Sequence, residues 1–196
     1  MDADEFRAAI RSEGQPYLQL RAFAAMLATE TGLGPDGLTV VGGSALEIYT
    51  TGDYVSDDVD LIVEDRERVA EVLRSWGFKS KGMYWTSPDF RPAVQIVGRY
   101  DSGSRRLSQV VSTRYGSVRL AAIEDIVIKR LIEARHWRRP EALAEAMLAV
   151  SRYGPDLDWG YIKEMAAKDL VADLADDVRR RGAAGQPRAT ASPREG

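Results

Sequence analysis

Hydrophobic and polar residues follow two different periods along this chain, and the change of period divides the chain into regions. Residues 4–30 and residues 123 to about 181 carry apolar side chains every three or four positions, which predicts helices. Between these regions, short apolar runs end in glycine or polar turns, which predicts strands. The predicted strands cover residues 38–41, 59–63, 78–85, 93–97, 108–112 and 118–121.

Two further helices are predicted inside the strand-rich region, over residues 44–49 and 64–76. A strand over 38–41, a helix and a strand over 59–63 fit a βαβ-like unit. The sequence therefore predicts an α+β fold with a mixed β-sheet core, flanking helices and a helical C-terminal part. The predicted regions are an N-terminal helical segment over 1–37, the core over 38–122, the helical C-terminal part over 123–181 and a disordered tail over 182–196.

Composition limits the classes of protein that the chain can represent. Its 196 residues are 44% hydrophobic and 29% charged, which is enough for one core with a helical appendage. The chain has no cysteine, so disulfides and thiolate metal sites are excluded and a reducing compartment is expected. Met1 precedes acidic residues, unlike a signal peptide, and no apolar run reaches membrane-spanning length. We expect a cytoplasmic protein without a membrane partner.

The net charge of −3 argues against a protein whose whole surface is basic and binds nucleic acid. The basic residues are, however, unevenly distributed along the chain. Arg135, Arg138 and Arg139 form one cluster, and residues 179–181 form another. Clusters of this kind either bind phosphates or are solvated helix faces. The sequence leaves both interpretations open.

Asp58 and Asp60 are the first candidates for chemistry. They lie two positions apart on a predicted strand, so their side chains point to the same face, about 6–7 Å apart along the backbone. Carboxylates at this spacing can bind Mg²⁺, or hold two ions as phosphoryl-transfer sites do. The alternative is a charged edge strand in which Asp57 and Asp58 belong to a turn.

Gly42, Gly43 and Ser44 follow one predicted strand and open a helix. Backbone N–H groups at such a turn can bind a phosphate, two glycines allow the main chain to approach it closely, and the Ser44 hydroxyl can donate to it. The turn alone is weak evidence, because it is also an ordinary tight turn. The glycine patterns of Rossmann and Walker sites are absent.

Taken together, residues 41–50 and 56–61 resemble the signature of the DNA polymerase β-like nucleotidyltransferase superfamily, in which a Gly-Gly or Gly-Ser turn precedes an Asp-x-Asp strand. The similarity is strongest to small prokaryotic nucleotidyltransferase-like proteins, including those of toxin–antitoxin and abortive-infection systems. Residues 123–137 resemble the helix that follows the catalytic sheet in such proteins. The two matches span residues 38–137.

The resemblance implies an Mg²⁺-dependent enzyme that transfers an NMP from an NTP, with ATP among the substrates, to an acceptor hydroxyl. Asp58 and Asp60 would bind the metal and align the α-phosphate. The nucleotide phosphates would be held by Gly42, Gly43, Ser44 and a basic side chain, Lys129 or Arg130. The implied acceptor is tRNA or another RNA, a protein side chain or a small molecule, and a protein antitoxin is an implied partner.

One departure from the family pattern concerns the third carboxylate, which activates the attacking hydroxyl. Its expected place is the strand over 93–97, where the corresponding residue is Gln95. An amide can orient a hydroxyl but cannot take its proton. Asp89 and Asp101 flank this strand and are the candidates to supply the missing carboxylate. A catalytically weak or inactive nucleotide-binding module of the same fold is therefore the alternative function.

A second alternative uses the single histidine of the chain. Arg130 and His136 have the R-x5-H spacing of HEPN ribonucleases. That class would require a purely helical bundle, and the predicted strands argue against it.

Overall fold

The computed structural model of the chain describes residues 1–98 and 108–185. Its architecture is α+β, with a mixed sheet, flanking helices and a helical C-terminal part, so the predicted fold class is confirmed. Two compact units divide the chain, one over residues 1–126 and one from residue 127 onward. This division falls four residues inside the helix that begins at Ile123.

Three helices precede the first strand of the first unit. Helix α1 begins after Asp2, whose carboxylate accepts hydrogen bonds from the N–H groups of Asp4 and Glu5 while the Glu5 side chain accepts from the Asp2 N–H. This reciprocal cap satisfies donors that a helix start leaves open. The helices are α1 (Ala3–Ser12), α2 (Pro16–Glu30) and the short α3 (Gly34–Gly37).

Seven strands of the described chain form one sheet, in the order β3-β4-β5-β2-β1-β7-β6. The pairs β2·β5 and β1·β7 are parallel, and the remaining pairs are antiparallel. The strands are β1 (Leu38–Val41), β2 (Asp58–Val63), β3 (Lys79–Lys81), β4 (Tyr84–Ser87), β5 (Phe90–Ile96), β6 (Gln109–Thr113) and β7 (Gly116–Leu120), with helices α4 (Gly42–Tyr49) and α5 (Arg66–Ser75) between them.

The predicted βαβ-like unit is wrong, because β1 and β2 are antiparallel neighbours, with Leu38 paired to Val63 and Val41 to Asp60. A parallel connection must carry the chain back along the whole sheet, which takes a dozen or more residues. The connection over residues 42–57 has that length, but after α4 it returns the chain to the end of the sheet that it left, so β2 runs antiparallel to β1.

The single strand predicted over residues 78–85 is also wrong. The structure has a hairpin, with β3 and β4 joined by a turn at Gly82, whose φ is +63°. This backbone conformation favours glycine, so a glycine inside the predicted strand is the residue that allows the turn.

The core of the first unit is built from aromatic rings packed between the helices and one face of the sheet. Phe6 of α1 stacks on Trp76 with ring centroids 4.5 Å apart, and Phe23 of α2 stacks on Phe90 of β5 at 4.4 Å. These rings are at most 2% exposed. The helices therefore cover this face of the sheet.

The second unit consists of helices. Tight packing of α9 on α7 is visible at Gly182, where an added Cβ would lie 2.3 Å from Val150 Cγ1. The helices are α6 (Ile123–His136), which begins in the first unit, α7 (Glu141–Tyr153), α8 (Trp159–Lys168) and α9 (Ala172–Gly185). Helix α9 enters the segment predicted as a disordered tail, and residues 186–196 lie outside the described residues.

Across residues 1–98 and 108–185, no helix combines the length and the apolar composition that crossing a bilayer requires.

Candidate functional site

Strand β2 presents two carboxylates on one face of the sheet. Burial alternates along the strand, with Val59 and Leu61 completely buried and Asp58 and Asp60 partly exposed. Alternation places both aspartates on the face opposite the aromatic core, with their Cα atoms about 6.6 Å apart. Asp57, which precedes the strand, has a fully exposed side chain 3.7 Å from Arg91.

Gly42 lies directly against Asp60. Strand β1 ends at Val41, which is paired with Asp60, and α4 begins at the next residue. Gly42 has a φ of +64°, and a Cβ added to it would lie 2.5 Å from Asp60 Oδ2. Within the described chain, no side chain caps the start of α4. The start of this helix and one carboxylate of the pair therefore form a single corner.

The second glycine is restricted by the loop that precedes β2. A Cβ added to Gly43 would lie 2.7 Å from Ser56 Oγ and 3.1 Å from Tyr54 Oη. Ser56 in turn donates a hydrogen bond from Oγ to Asp58 Oδ1 at 3.4 Å. Ser56 and Tyr54 thus line the corner, a role that the sequence pattern did not assign to them.

The Ser44 hydroxyl is buried and bonded to the backbone. Its Oγ donates to the Val41 carbonyl at 2.9 Å and accepts from the Asp60 N–H at 3.3 Å. Ser44 therefore joins the end of β1 to β2 beside the carboxylate. Any contact of Ser44 with a phosphate would involve its backbone N–H rather than this hydroxyl.

Glu47 is a functional candidate that the sequence analysis missed. It is 2% exposed on α4, and its Oε2 accepts a hydrogen bond from the Ser56 N–H at 2.8 Å. This contact fixes the loop that leads into Asp58. The available signal was a lone carboxylate among apolar neighbours in a helix, a position where charge needs a partner.

Gln95 lies beside Asp60, as the family pattern implied for a third polar residue. Strands β2 and β5 pair Asp60 with Gln95, so their side chains share a face of the sheet. The Gln95 Nε2 donates to Met83 Sδ at 2.9 Å. The site therefore combines two carboxylates and one amide.

Asp89 does not lie where it could replace a carboxylate at Gln95. Asp89 lies just before β5, whereas Gln95 lies near the end of that strand. Even Ala93, which is paired with Asp58, is at least about 10 Å from Asp89 along the strand. The Asp89 oxygens lie 3.5 Å from Arg7 and 3.2 Å from Arg11. The other candidate, Asp101, lies outside the described residues.

Lys129 and Arg130 belong to the second unit, and their predicted part in nucleotide binding stays a prediction. Lys129 is half-exposed, with its Nζ 4.0 Å from Glu133 Oε1. Arg130 is buried, with NH1 2.8 Å from Glu133 and Nε 2.6 Å from Glu145 at an angle outside hydrogen-bond geometry. Arg139 joins the same cluster and donates to Glu141, and this hydrogen bond raises the pKa of the Arg139 guanidinium.

The arginine and the histidine of the ribonuclease alternative, Arg130 and His136, each contact other residues of the second unit. Arg130 is held by Glu133 and Glu145, and His136 Nε2 lies 2.9 Å from the Asp169 carbonyl oxygen. The seven-stranded sheet also excludes the purely helical bundle that this alternative required.

The donor set at the corner suits a hard divalent cation. The described residues contain no cluster of three or more histidine, cysteine or acidic side chains placed to hold a metal. Mg²⁺, however, is commonly held by one or two carboxylates together with substrate phosphates. Because Gly42 has no Cβ, the start of α4 lies against Asp60, so the carboxylate and the first N–H groups of the helix meet at one corner.

No protein-family model matches the chain, and no curated protein matches it either. Among solved structures, it is similar to an antigenic nucleotidyltransferase-like protein from Paracoccidioides brasiliensis, with a TM-score of 0.47 and 10% sequence identity over 79% of this chain and 92% of that chain. Because this similarity is low, it does not establish a function for this chain.

Proposed function

We propose that this chain is a metal-dependent enzyme of phosphoryl transfer. One observation carries the proposal: Asp58 and Asp60 share a face of the sheet, and Asp60 lies against the Gly42 turn that opens α4. A cation site and the amide-rich start of a helix are then neighbours. Phosphoryl transfer needs this combination, because its catalysis is mainly positioning and charge neutralisation.

The particular reaction that we propose is transfer of an NMP from an NTP to an acceptor hydroxyl. The motif similarity to nucleotidyltransferases supports this choice, with Asp58 and Asp60 holding Mg²⁺ and the N–H groups of Gly43 and Ser44 holding phosphate oxygens. When bound, the metal supplies charge neutralisation at the triphosphate.

In this reaction the acceptor oxygen forms a bond to the α-phosphorus while the bond from that phosphorus to the bridging oxygen breaks, and pyrophosphate leaves with the bond electrons. Asp58 and Asp60 orient the α-phosphate for this in-line attack. Gln95 accepts a hydrogen bond from the attacking hydroxyl through its amide oxygen, but it cannot take the proton. The proton therefore passes to solvent or to the substrate.

Gln95 also supports the second candidate, a nucleotide-binding module with little or no transfer activity. A general base contributes about 10²- to 10⁴-fold to rate, so its absence predicts a slow enzyme. A toxin role in the cytoplasm, with a protein antitoxin as partner, remains a prediction from the motif similarity alone.

The test is label transfer from each α-labelled NTP, with Mg²⁺ and either total tRNA or cell lysate as acceptor. The Asp58→Asn/Asp60→Asn variant should lose labelling by on the order of 10²- to 10³-fold. Asp57→Asn is the matched control, because its side chain is fully exposed next to the same strand, and it should label normally.

Equal labelling by the wild type and the Asp58/Asp60 variant would overturn the proposal. No labelling by the wild type, combined with Mg²⁺-dependent NTP binding that the variant lacks, would favour the binding module instead.

A further inference from the structure

The face of the sheet that carries Asp58 and Asp60 continues beyond Gln95 onto two more strands. Strand pairing joins Asp60 to Gln95, Gln95 to Tyr84 and Tyr84 to Lys81. Paired residues have side chains on the same face, so these positions form one row across four strands. With strands about 4.8 Å apart, the row is about 14 Å long.

Tyr84 is the aromatic residue of β4 on this open face. Tyr84 is 38% exposed, and its neighbour Met83 is 60% exposed. The next residue, Trp85, faces the opposite side, where it pairs with buried Val94 and carries the Arg74 guanidinium 5.3 Å above its ring. Trp85 therefore lies on the face of the sheet that carries buried Val94, and Tyr84 is exposed on the face that carries the candidate site.

Two lysines form the far end of the row. Lys79 and Lys81 lie two positions apart on the edge strand β3, so both point to the face that carries Tyr84. All three residues of β3 are exposed. Among residues 1–98 and 108–185, neither lysine ammonium has an acidic partner within salt-bridge distance. One face of the sheet thus carries, in order, the carboxylate of Asp60, the ring of Tyr84 and the positive charge of Lys81.

We propose that this row, called here the hairpin row and consisting of Gln95, Tyr84, Lys81 and Lys79, docks a single-stranded nucleic acid whose 3′ hydroxyl is the acceptor. This inference rests on the proposed function. A base of the strand stacks on Tyr84, its phosphates contact the lysines, and its 3′ end reaches the carboxylates of Asp58 and Asp60.

Charge and length favour this occupant over others. Aromatic stacking next to basic side chains is the combination by which proteins bind single strands without strong sequence preference. An acidic peptide would satisfy the lysines but has no base to stack on Tyr84. The path from Asp60 to Lys81 is about 14 Å long, so a short strand with its 3′ end at Asp60 would place its preceding phosphates at the lysines.

The test measures binding rather than catalysis. Fluorescence anisotropy of a short mixed-sequence RNA labelled at its 5′ end is followed with the full chain in the absence of NTP. Tyr84→Ala should weaken binding by on the order of 5- to 150-fold, the effect of removing one base–aromatic stack. Tyr84→Phe keeps the ring and should bind nearly as the wild type does.

The lysines are tested through salt dependence. Removing two phosphate contacts with Lys79→Gln/Lys81→Gln should reduce the slope of log K against log salt by about 1.4, because each contact on a single strand contributes about 0.7. The matched control is Lys163→Gln/Lys168→Gln, which removes the same charge from exposed positions on α8 and should leave the slope unchanged.

Three results would overturn the docking surface: no RNA binding by the wild type, unchanged binding by Tyr84→Ala together with an unchanged slope for the lysine variant, or competition by polyglutamate as strong as by unlabelled RNA. Failure of the proposed function is distinguishable from these. If the wild type transfers no NMP yet binds RNA through the hairpin row, the docking surface stands alone. If transfer occurs and the hairpin variants bind RNA normally, only the docking surface fails.

Discussion

Gly42 and Asp60 are packed so closely that a side chain at position 42 would displace the carboxylate. An added Cβ would lie 2.5 Å from Asp60 Oδ2, and the φ of Gly42 is +64°. Two separate restrictions therefore require glycine at this position: the left-handed backbone and the contact with Asp60.

Replacement of Gly42 by alanine should reduce both stability and transfer. The left-handed conformation costs about 1–2 kcal/mol for a residue with a Cβ. Displacement of Asp60 should reduce transfer further, by on the order of 10²-fold, because misplacement by about 1 Å has effects of this size. Thermal unfolding and label transfer measure the two effects.

Gly34→Ala is the control for this substitution. Gly34 has nearly the same φ, +62°, and no described atom lies within 4 Å of its added Cβ. It should show the loss of stability with normal transfer. Equal transfer by the two variants would contradict the role given to the contact with Asp60.

Glu47→Ala should destabilise the loop that leads into Asp58. The substitution leaves the buried Ser56 N–H without its acceptor, which costs about 1–3 kcal/mol. Glu47→Gln retains an acceptor oxygen and should keep most of this stability. Urea unfolding provides the measurement, and Glu71→Ala, at an exposed position on α5, should change stability by less than about 0.5 kcal/mol. A loss for Glu47→Ala no larger than that of the control would argue against this contact.

Gln95→Glu should accelerate transfer, because a carboxylate next to Asp60 can accept the proton of the attacking hydroxyl. An increase on the order of 10²-fold is expected from a general base. Without metal, the new carboxylate at position 95 repels the paired Asp60 and should lower the free energy of unfolding by about 0.2–1 kcal/mol. Bound Mg²⁺ should restore this stability. Label transfer and thermal unfolding with and without Mg²⁺ measure both effects. Gln95→Leu provides the comparison without a base; a glutamate variant no faster than it would refute the prediction.

Removing one partner from the buried charge cluster of the second unit should cost more stability than removing one partner from an exposed ion pair with the same N–O distance. Arg130 and Glu133 lie 2.8 Å apart with side chains at most 5% exposed. Glu133→Ala removes this partner but leaves Glu145 beside Arg130, so it should cost less than the ~3–5 kcal/mol of a fully unpaired buried charge but more than the loss of an exposed pair. Lys168 and Glu164 also lie 2.8 Å apart but are exposed, so Glu164→Ala should cost at most about 1 kcal/mol. Similar urea midpoints for the two variants would show that burial does not control this cost.

Local patterns predicted most elements of the fold but not their directions. The strand at Leu38–Val41 and the two strands on either side of Tyr115 were predicted from short apolar runs that end in glycine or polar turns, and these signals depend on neighbours in sequence. The direction of β2 relative to β1 was predicted wrongly, because it depends on where the chain returns after α4. The Gly82 turn was missed because a single glycine inside a predicted strand is an ambiguous signal.

Within the candidate site, the sequence identified the residue types, and the pairing of strands identified their neighbours. Glu47, Ser56 and Tyr84 were not identified from the sequence because each acts through a contact with a residue outside its own helix, loop or strand. The Glu47 contact spans nine residues, and the pairing of Tyr84 with Gln95 requires β4 and β5 to be adjacent.

The sequence by itself determined that Asp58 and Asp60 share a face, since the two-residue period of a strand is a local property of the backbone. Only the tertiary structure decided that Gly42 lies against Asp60, that Gln95 lies beside it, and that Tyr84 extends the same row. These relationships depend on which strands pair and in which register, and that choice is made by burying the aromatic core rather than by any short stretch of sequence.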